Sequence, residues 1–219
     1  MRHRKCIIFV FCYSFNILLF SKNQIRLLCQ TPKTFSTVKL SLYESICDGV
    51  FPNNLKIAKV VPILKSGDSE IPTNYKPISV LTYFSKIFEK VLYIRLKDYF
   101  TKNSLISQQQ YGFRNNHSTS LAITDLYENI LQNLDKKLIS CTVFVDLRKA
   151  FDSVIHSILS TKLEHYGVRG NAFKLIQFYL SNRKLYVQGG NIQSSWSSII
   201  SGVPQGSILG PLFFYVYQF

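Results

Sequence analysis

Acidic residues are scarce in this chain. Against 26 lysines and arginines stand only 12 aspartates and glutamates, for a net charge of +14. That sign points to a polyanionic partner, although composition alone does not separate nucleic acid from an anionic membrane. The excess is uneven: residues 1–43 hold seven basic side chains and no acid, which leaves +7 for the remainder. Cysteine patterning is missing as well. Cys6, Cys12, Cys29, Cys47 and Cys141 form no CxxC pair and no zinc-type Cys/His set. The odd count argues against a disulfide framework and for a reducing compartment, with nucleus or cytoplasm the expected location. Residues 7–20 are apolar apart from Ser14 and Asn16, behind the basic start Arg2, Arg4 and Lys5. No small-x-small cleavage site follows, and the run falls short of the roughly 20 residues of a membrane span. An N-terminal extension is the expectation; the apolar run leaves a membrane role open, with targeting less favoured.

What is present suffices for a core: 219 residues, 47% of them hydrophobic. Spacings of three and four predict helices over 31–49 (Phe35, Val38, Leu42, Ile46), 84–99 (Phe84, Ile87, Phe88, Val91, Leu92) and 118–137, the last capped by Ser118 or Thr119. Further helices are expected from about Ser153 to Gly167 and from Asn171 to about Asn182. Residues 57–64 read as an edge strand, because Pro62 cannot donate to a ladder. Residues 140–145, apolar on both faces after Thr142, read as a central strand delivering Asp146 at its tip. A hairpin is expected to turn at Gly189-Gly190-Asn191.

Two islands carry the chemistry, Phe144-Val145-Asp146-Leu147-Arg148-Lys149-Ala150-Phe151-Asp152 and Gly202-Val203-Pro204-Gln205-Gly206-Ser207. A carboxylate at the end of a buried strand needs a hydrogen bond, exposure or a cation. Asp146 therefore reads either as a ligand for a magnesium ion, with the Leu147 carbonyl as second donor, or as a cap for the next helix. Phe151 offers a flat wall to a sugar or belongs to the core. Asp152 reads as an N-cap. The second island joins flexible glycines to a rigid proline and can set backbone N–H groups and the Gln205 amide beside a nucleotide, although such turns also occur without ligands. Lys65, Lys76 and Arg114 lie in three separate loops and either converge on phosphates or are solvated surface charges.

Read in order, these islands together with Lys59-Val60-Val61-Pro62-Ile63-Leu64-Lys65-Ser66-Gly67-Asp68, Asn74-Tyr75-Lys76-Pro77-Ile78-Ser79 and Tyr111-Gly112-Phe113-Arg114 resemble the reverse transcriptases of non-LTR, LINE-like retrotransposons, over residues 31–217. The resemblance implies an α+β chain with a partial right-hand polymerase fold, fingers plus an incomplete palm with an antiparallel sheet. Its expected divisions are an N-terminal extension (1–30), a fingers-like helical region with interspersed strands (31–139) and the incomplete palm (140–219). It implies RNA-directed DNA polymerase chemistry on an RNA template and DNA primer, or an RNA/DNA hybrid, with deoxynucleotide triphosphates, two Mg²⁺ ions and no obligate protein partner. By motif position Asp146 resembles the first catalytic metal ligand and Phe151 the steric gate against a 2′-hydroxyl. Gln205 and Gly206 resemble the turn lining nucleotide and template, and Lys65, Lys76 and Arg114 correspond to fingers motifs. Lys65 and Lys76 are the expected contacts to triphosphate oxygens.

Three departures qualify the resemblance. Lys76 stands where the family usually has Arg, so the bidentate fork is lost. Ile155 replaces a common Asp. The family's aromatic-x-Asp-Asp hairpin does not occur within the 219 residues. Asp146 alone is not expected to hold two ions, so the isolated chain is expected to lack substantial polymerase activity; an unpaired palm edge beside the Asp146 strand makes it, by expectation, marginally stable. The alternative is a non-catalytic nucleic-acid-binding remnant.

Overall fold

Periodicity and turn chemistry build mixed helices and strands, seen in a computed structural model that describes residues 6–10, 32–147 and 149–218. The helices are α1 (Pro32–Asp48), α2 (Tyr83–Lys102), α3 (Thr119–Asp135), α4 (His156–His165), α5 (Gly170–Leu180) and α6 (Gly210–Gln218). The strands are β1 (Cys6–Val10), β2 (Ile57–Leu64), β3 (Tyr75–Val80), β4 (Cys141–Val145), β5 (Arg183–Gly189), β6 (Ile192–Gln193) and β7 (Ser197–Ile199). Most of the apolar run at 7–20 lies outside the described residues, which include only its first residues, in β1. No helix among the described residues is long and apolar enough to cross a membrane.

Two compact units divide the described residues, one from Met1–Phe15 and Tyr99–Ala150, the other from Asn16–Asp98 and Phe151–Phe219. In the second unit a mostly antiparallel sheet runs β3-β2-β5-β6, with β7 also on β5. Its first half makes β2 an interior strand: Ile57–Val60 pairs parallel with Lys184–Val187 of β5. Only beyond Val60 does it become the expected edge strand, paired antiparallel with β3 alone, Pro62 opposite Pro77. Proline is tolerated there because one side of the strand has no ladder to feed. The predicted hairpin at Gly189-Gly190-Asn191 is present, with Gln188 opposite Gln193 and Arg183 opposite Ile199.

An aromatic chain fills this unit's core. Phe51 meets Phe88 and Tyr179 edge-on at 5.8 and 5.1 Å, and Tyr179 meets Phe213 at 5.9 Å. Each ring removed from water contributes about 2–3 kcal/mol, and edge-on geometry suits the ring quadrupoles. Helix α6 is buried along most of its length, from Gly210 to Val216. Its C-terminal end is tied by the Lys162 ammonium, which donates to the Tyr217 carbonyl at 2.5 Å.

In this second unit α4 begins at His156, later than the expected Ser153, and Asp152 does not cap it. The preceding carbonyls are already engaged: Phe151 O accepts from Val203 N (2.9 Å) and Val154 O from Gly202 N (2.7 Å). The helix starts from the Ile155 carbonyl, which accepts from Leu159 N at 3.0 Å.

In the first unit Ser118 caps α3 as expected, its hydroxyl accepting from Leu121 N at 3.2 Å. The Tyr111 hydroxyl donates to the Asp125 carboxylate, and that bond, followed by burial, pushes the phenol up to about 12. Among the described residues β4 does not take the central place in a sheet expected from its apolar residues. Among the described residues it pairs only with β1, in parallel register from Cys6 opposite Cys141 to Val10 opposite Val145. Val143, Phe144 and Val145 remain exposed. An unbroken apolar run fits any strand covered on both faces, and nothing in that pattern specifies which chain does the covering.

Candidate functional site

The Gly202–Ser207 turn is fixed from two sides within the second unit. On one side the Gly202 and Val203 amides bond the 151–154 turn, and the His156 Nε2 lies 2.7 Å from the Gly202 carbonyl. Gly202 has a φ of +84°, and a Cβ there would sit 2.9 Å from Asp152 Cα and 3.0 Å from the Phe151 carbonyl oxygen. On the other side the Gln205 carbonyl accepts from the Ser79 amide at 2.7 Å, docking the turn on β3. Gly206, at φ +104°, approaches so closely that a Cβ would fall 2.9 Å from the Ser79 carbonyl oxygen. Both positions exclude side chains for reasons of space as well as dihedral.

The side chains of this turn divide its work. Ser207 donates to the Pro204 carbonyl (2.8 Å) and accepts from the Gly210 amide (3.0 Å), so it closes the turn and caps α6. Gln205, half-buried, reaches Asp152 Oδ1 at 3.5 Å. Asp152 therefore meets a neighbouring amide and leaves the following helix uncapped. Phe151 is buried, its ring 5.1 Å from that of Phe214.

Strand β3 also carries Lys76, opposite Ile63 of β2. Lys65 follows β2, its amide donating to Asn74 O at 2.9 Å. Partial burial lowers the Lys76 ammonium below its ordinary value, and the positive charge of Lys65 lowers it further. An ammonium whose charge is disfavoured in this way gains when an anion arrives beside it. The loop joining them is closed by Asn74 Nδ2 on Asp68 O and Tyr75 OH on Ser69 O, at 2.9 and 2.8 Å.

Behind the turn lies a buried polar group that the sequence pattern did not reveal. Glu89 of α2 is fully buried; its Oε1 accepts from the Tyr179 hydroxyl and its Oε2 from the Ile208 amide, each at 2.7 Å. Burial raises the carboxyl's pKa, while those two hydrogen bonds and the charges of Arg183 and Lys86 pull it down less strongly. Arg183, also fully buried, lies 4.6 Å over the Tyr179 ring and donates from Nη1 to the Tyr179 carbonyl at 3.1 Å. Glu89 lies on the buried face of α2 with Phe88, Leu92, Leu96 and Phe100, turned away from the stripe that the apolar spacing marks.

In the first unit, Asp146 follows β4 directly and is exposed, as is Leu147. The next helix begins ten residues later in sequence, so Asp146 does not cap it. Arg114 turns inward on its own loop, Nη1 donating to the Ser107 and Gln108 carbonyls at 3.1 and 3.4 Å. Lys65, Lys76, Phe151, Gln205 and Gly206 belong to the second unit and Arg114, Asp146 and Leu147 to the first, so each set stands as its own constellation.

A family model for the reverse transcriptase (RNA-dependent DNA polymerase) matches residues 63–218. The chain belongs to the reverse transcriptase family. Within it the chain is similar to non-LTR retrotransposon proteins, as the order of its motifs indicates. It is 37% identical over 174 residues to the probable RNA-directed DNA polymerase from transposon BS of Drosophila melanogaster, covering 76% of this chain and 18% of that protein. It is 34% identical over 169 residues to the probable RNA-directed DNA polymerase from transposon X-element of the same organism, covering 77% and 18%. It is 31% identical over 170 residues to the RNA-directed DNA polymerase from mobile element jockey of Drosophila funebris, again covering 77% and 18%. The reverse transcriptase segment seen here thus spans under a fifth of the length of these relatives.

Proposed function

We propose that this chain supplies the fingers and the first part of the palm of an RNA-directed DNA polymerase, and that its own contribution is to hold an RNA/DNA hybrid or template–primer and the incoming deoxynucleotide triphosphate. The observation that carries this reading is the docking of the Gln205 turn on β3, the strand that also bears Lys76. Fingers over residues 31–139 and palm from 140 onward follow from the same reading, behind an extension at 1–30. Lys65 and Lys76 attract triphosphate oxygens, and an arriving anion relieves their mutual repulsion. Gln205 and Gly206 line nucleotide and template, where the missing Cβ at Gly206 lets backbone approach closely. Arg114 supports its fingers loop from within. Phe151 acts as the gate by holding the wall of the sugar site from the core side.

Asp146 and the Leu147 carbonyl are the donors for magnesium. Bound magnesium in this family activates the primer hydroxyl and stabilises the pyrophosphate leaving group. The described residues do not meet the needs of a two-ion site, since no group of three His, Cys, Asp or Glu side chains able to hold a metal occurs among them. The chain alone is therefore expected to bind without extending a primer.

Fluorescence anisotropy with a labelled RNA/DNA hybrid tests this. Binding should weaken steeply with salt, each phosphate contact contributing a log–log slope of about −0.9 for a duplex. The double variant Lys65→Ala with Lys76→Ala should lower both affinity and slope. Hybrid binding that is absent at low salt, or indifferent to both lysines, would sink the reading. The alternative, a non-catalytic nucleic-acid-binding remnant, shares the binding behaviour but predicts no effect of deoxynucleotide triphosphates on it. The substrate-binding reading is supported by the positive charge of Lys65 acting on the partly buried Lys76.

A further inference from the structure

A buried carboxylate is costly unless its oxygens are matched by donors. Glu89 is matched twice, and both partners lie far away in sequence. Tyr179 is 90 residues on and Ile208 is 119 residues on. Ile208 is the second residue after Gly206 and immediately follows Ser207, the residue that closes the turn and caps α6. The Tyr179 hydroxyl holds the other oxygen of Glu89. The ring of Tyr179 meets that of Phe51 at near-perpendicular planes and the Arg183 guanidinium at 4.6 Å, and Arg183 also donates to the Tyr179 carbonyl.

We propose that Glu89 is a positioning residue for the Gln205–Gly206 turn. It holds the Ile208 amide from behind and so sets the direction in which Gln205 faces nucleic acid. This rests on the reading of the turn as a template and nucleotide contact. Packing alone would be served by a methionine of similar volume, which leaves the part-buried Ile208 N–H without its acceptor. Glutamine instead keeps an acceptor for Ile208 and turns its NH₂ toward the Tyr179 oxygen.

The test uses the whole chain and two readouts. Amide hydrogen exchange is followed in peptides covering 201–209, with peptides of the β2–β3 ladder as internal control, and the Kd for a labelled RNA/DNA hybrid is measured at fixed low salt. Glu89→Met should speed exchange in the turn at least tenfold, leave the control peptides unchanged and raise the Kd at least threefold. Glu89→Gln should stay within twofold of the parent in both. Unchanged exchange in Glu89→Met overturns the proposal, and so does a loosened turn with an unchanged Kd. Gln205→Ala separates the two levels: if it leaves the Kd unaltered, the reading of the turn as a nucleic-acid surface fails, whatever Glu89 does to exchange. Should Glu89→Met not fold, Tyr179→Phe carries the test, with a two- to fivefold rise in turn exchange expected and no rise overturning the proposal.

Discussion

The two islands legible as motifs are built in opposite ways. The Gly202–Ser207 turn is largely buried and bonded on both sides, to the 151–154 turn and to β3, with a carboxylate behind it. The strand that presents Asp146 is exposed along most of its length and carries a single neighbouring strand among the described residues. Equal clarity in sequence thus conceals unequal support in structure. The turn is held in place by this chain's own contacts, whereas the Asp146 strand still offers a ladder edge and an apolar face that a further element can occupy.

The largest expected effect tests the buried side of that contrast. Phe151→Ala should cost about 3–5 kcal/mol in urea unfolding, the range for emptying an aromatic from a core; a loss below 1 kcal/mol would show the ring to be peripheral. Next comes Gly206→Ala, where an unfavourable dihedral and a backbone clash together should cost about 2–3 kcal/mol. A neutral result there would mean that the turn adjusts freely and is no firmer than the strand.

The pH response of Glu89 is a subtler probe. Its carboxyl is raised by burial above the usual value of 4.5. The folded state therefore retains the proton over a range where the unfolded state has released it. Stability from this group is full below the unfolded value and declines as pH climbs through the raised folded value. The groups facing it are Tyr179, Arg183, Lys86 and the Ile208 amide. Urea midpoints measured at rising pH should fall in the parent and lose that component in Glu89→Gln; identical slopes in the two proteins would rule out Glu89 as the source. The smallest effect is expected on the exposed side. Asp146→Asn should shift stability by no more than about 0.5 kcal/mol, as for other surface sites, and a larger loss would reveal a structural role for that carboxylate.

Much of this was readable in advance because it is local. The helices over 32–48, 83–102 and 119–135, the Ser118 cap and the hairpin at Gly189 depend on residues a few positions apart, and they form where that spacing requires. The errors lie where distant segments compete for the same backbone groups. Asp152 looked like a cap, but the carbonyls around it bond Gly202 and Val203 instead. Residues 141–145 looked central because apolar runs do not name their neighbours. Pro62 marked an edge correctly for only half of β2, since β5 covers the other half. The role of Glu89 is not legible in sequence because its burial is decided by Tyr179 and Ile208, which no window along the chain places beside it.

Strand β2 also has a mechanical consequence. Its root is gripped between β5 and β3, while its outer half, past Val60, is backed by β3 alone and interrupted by facing prolines. It is a cantilever with two positive charges at the free end. Displacement at the tip therefore need not disturb the Ile57–Val60 ladder to β5, which ties the hairpin to the rest of its sheet.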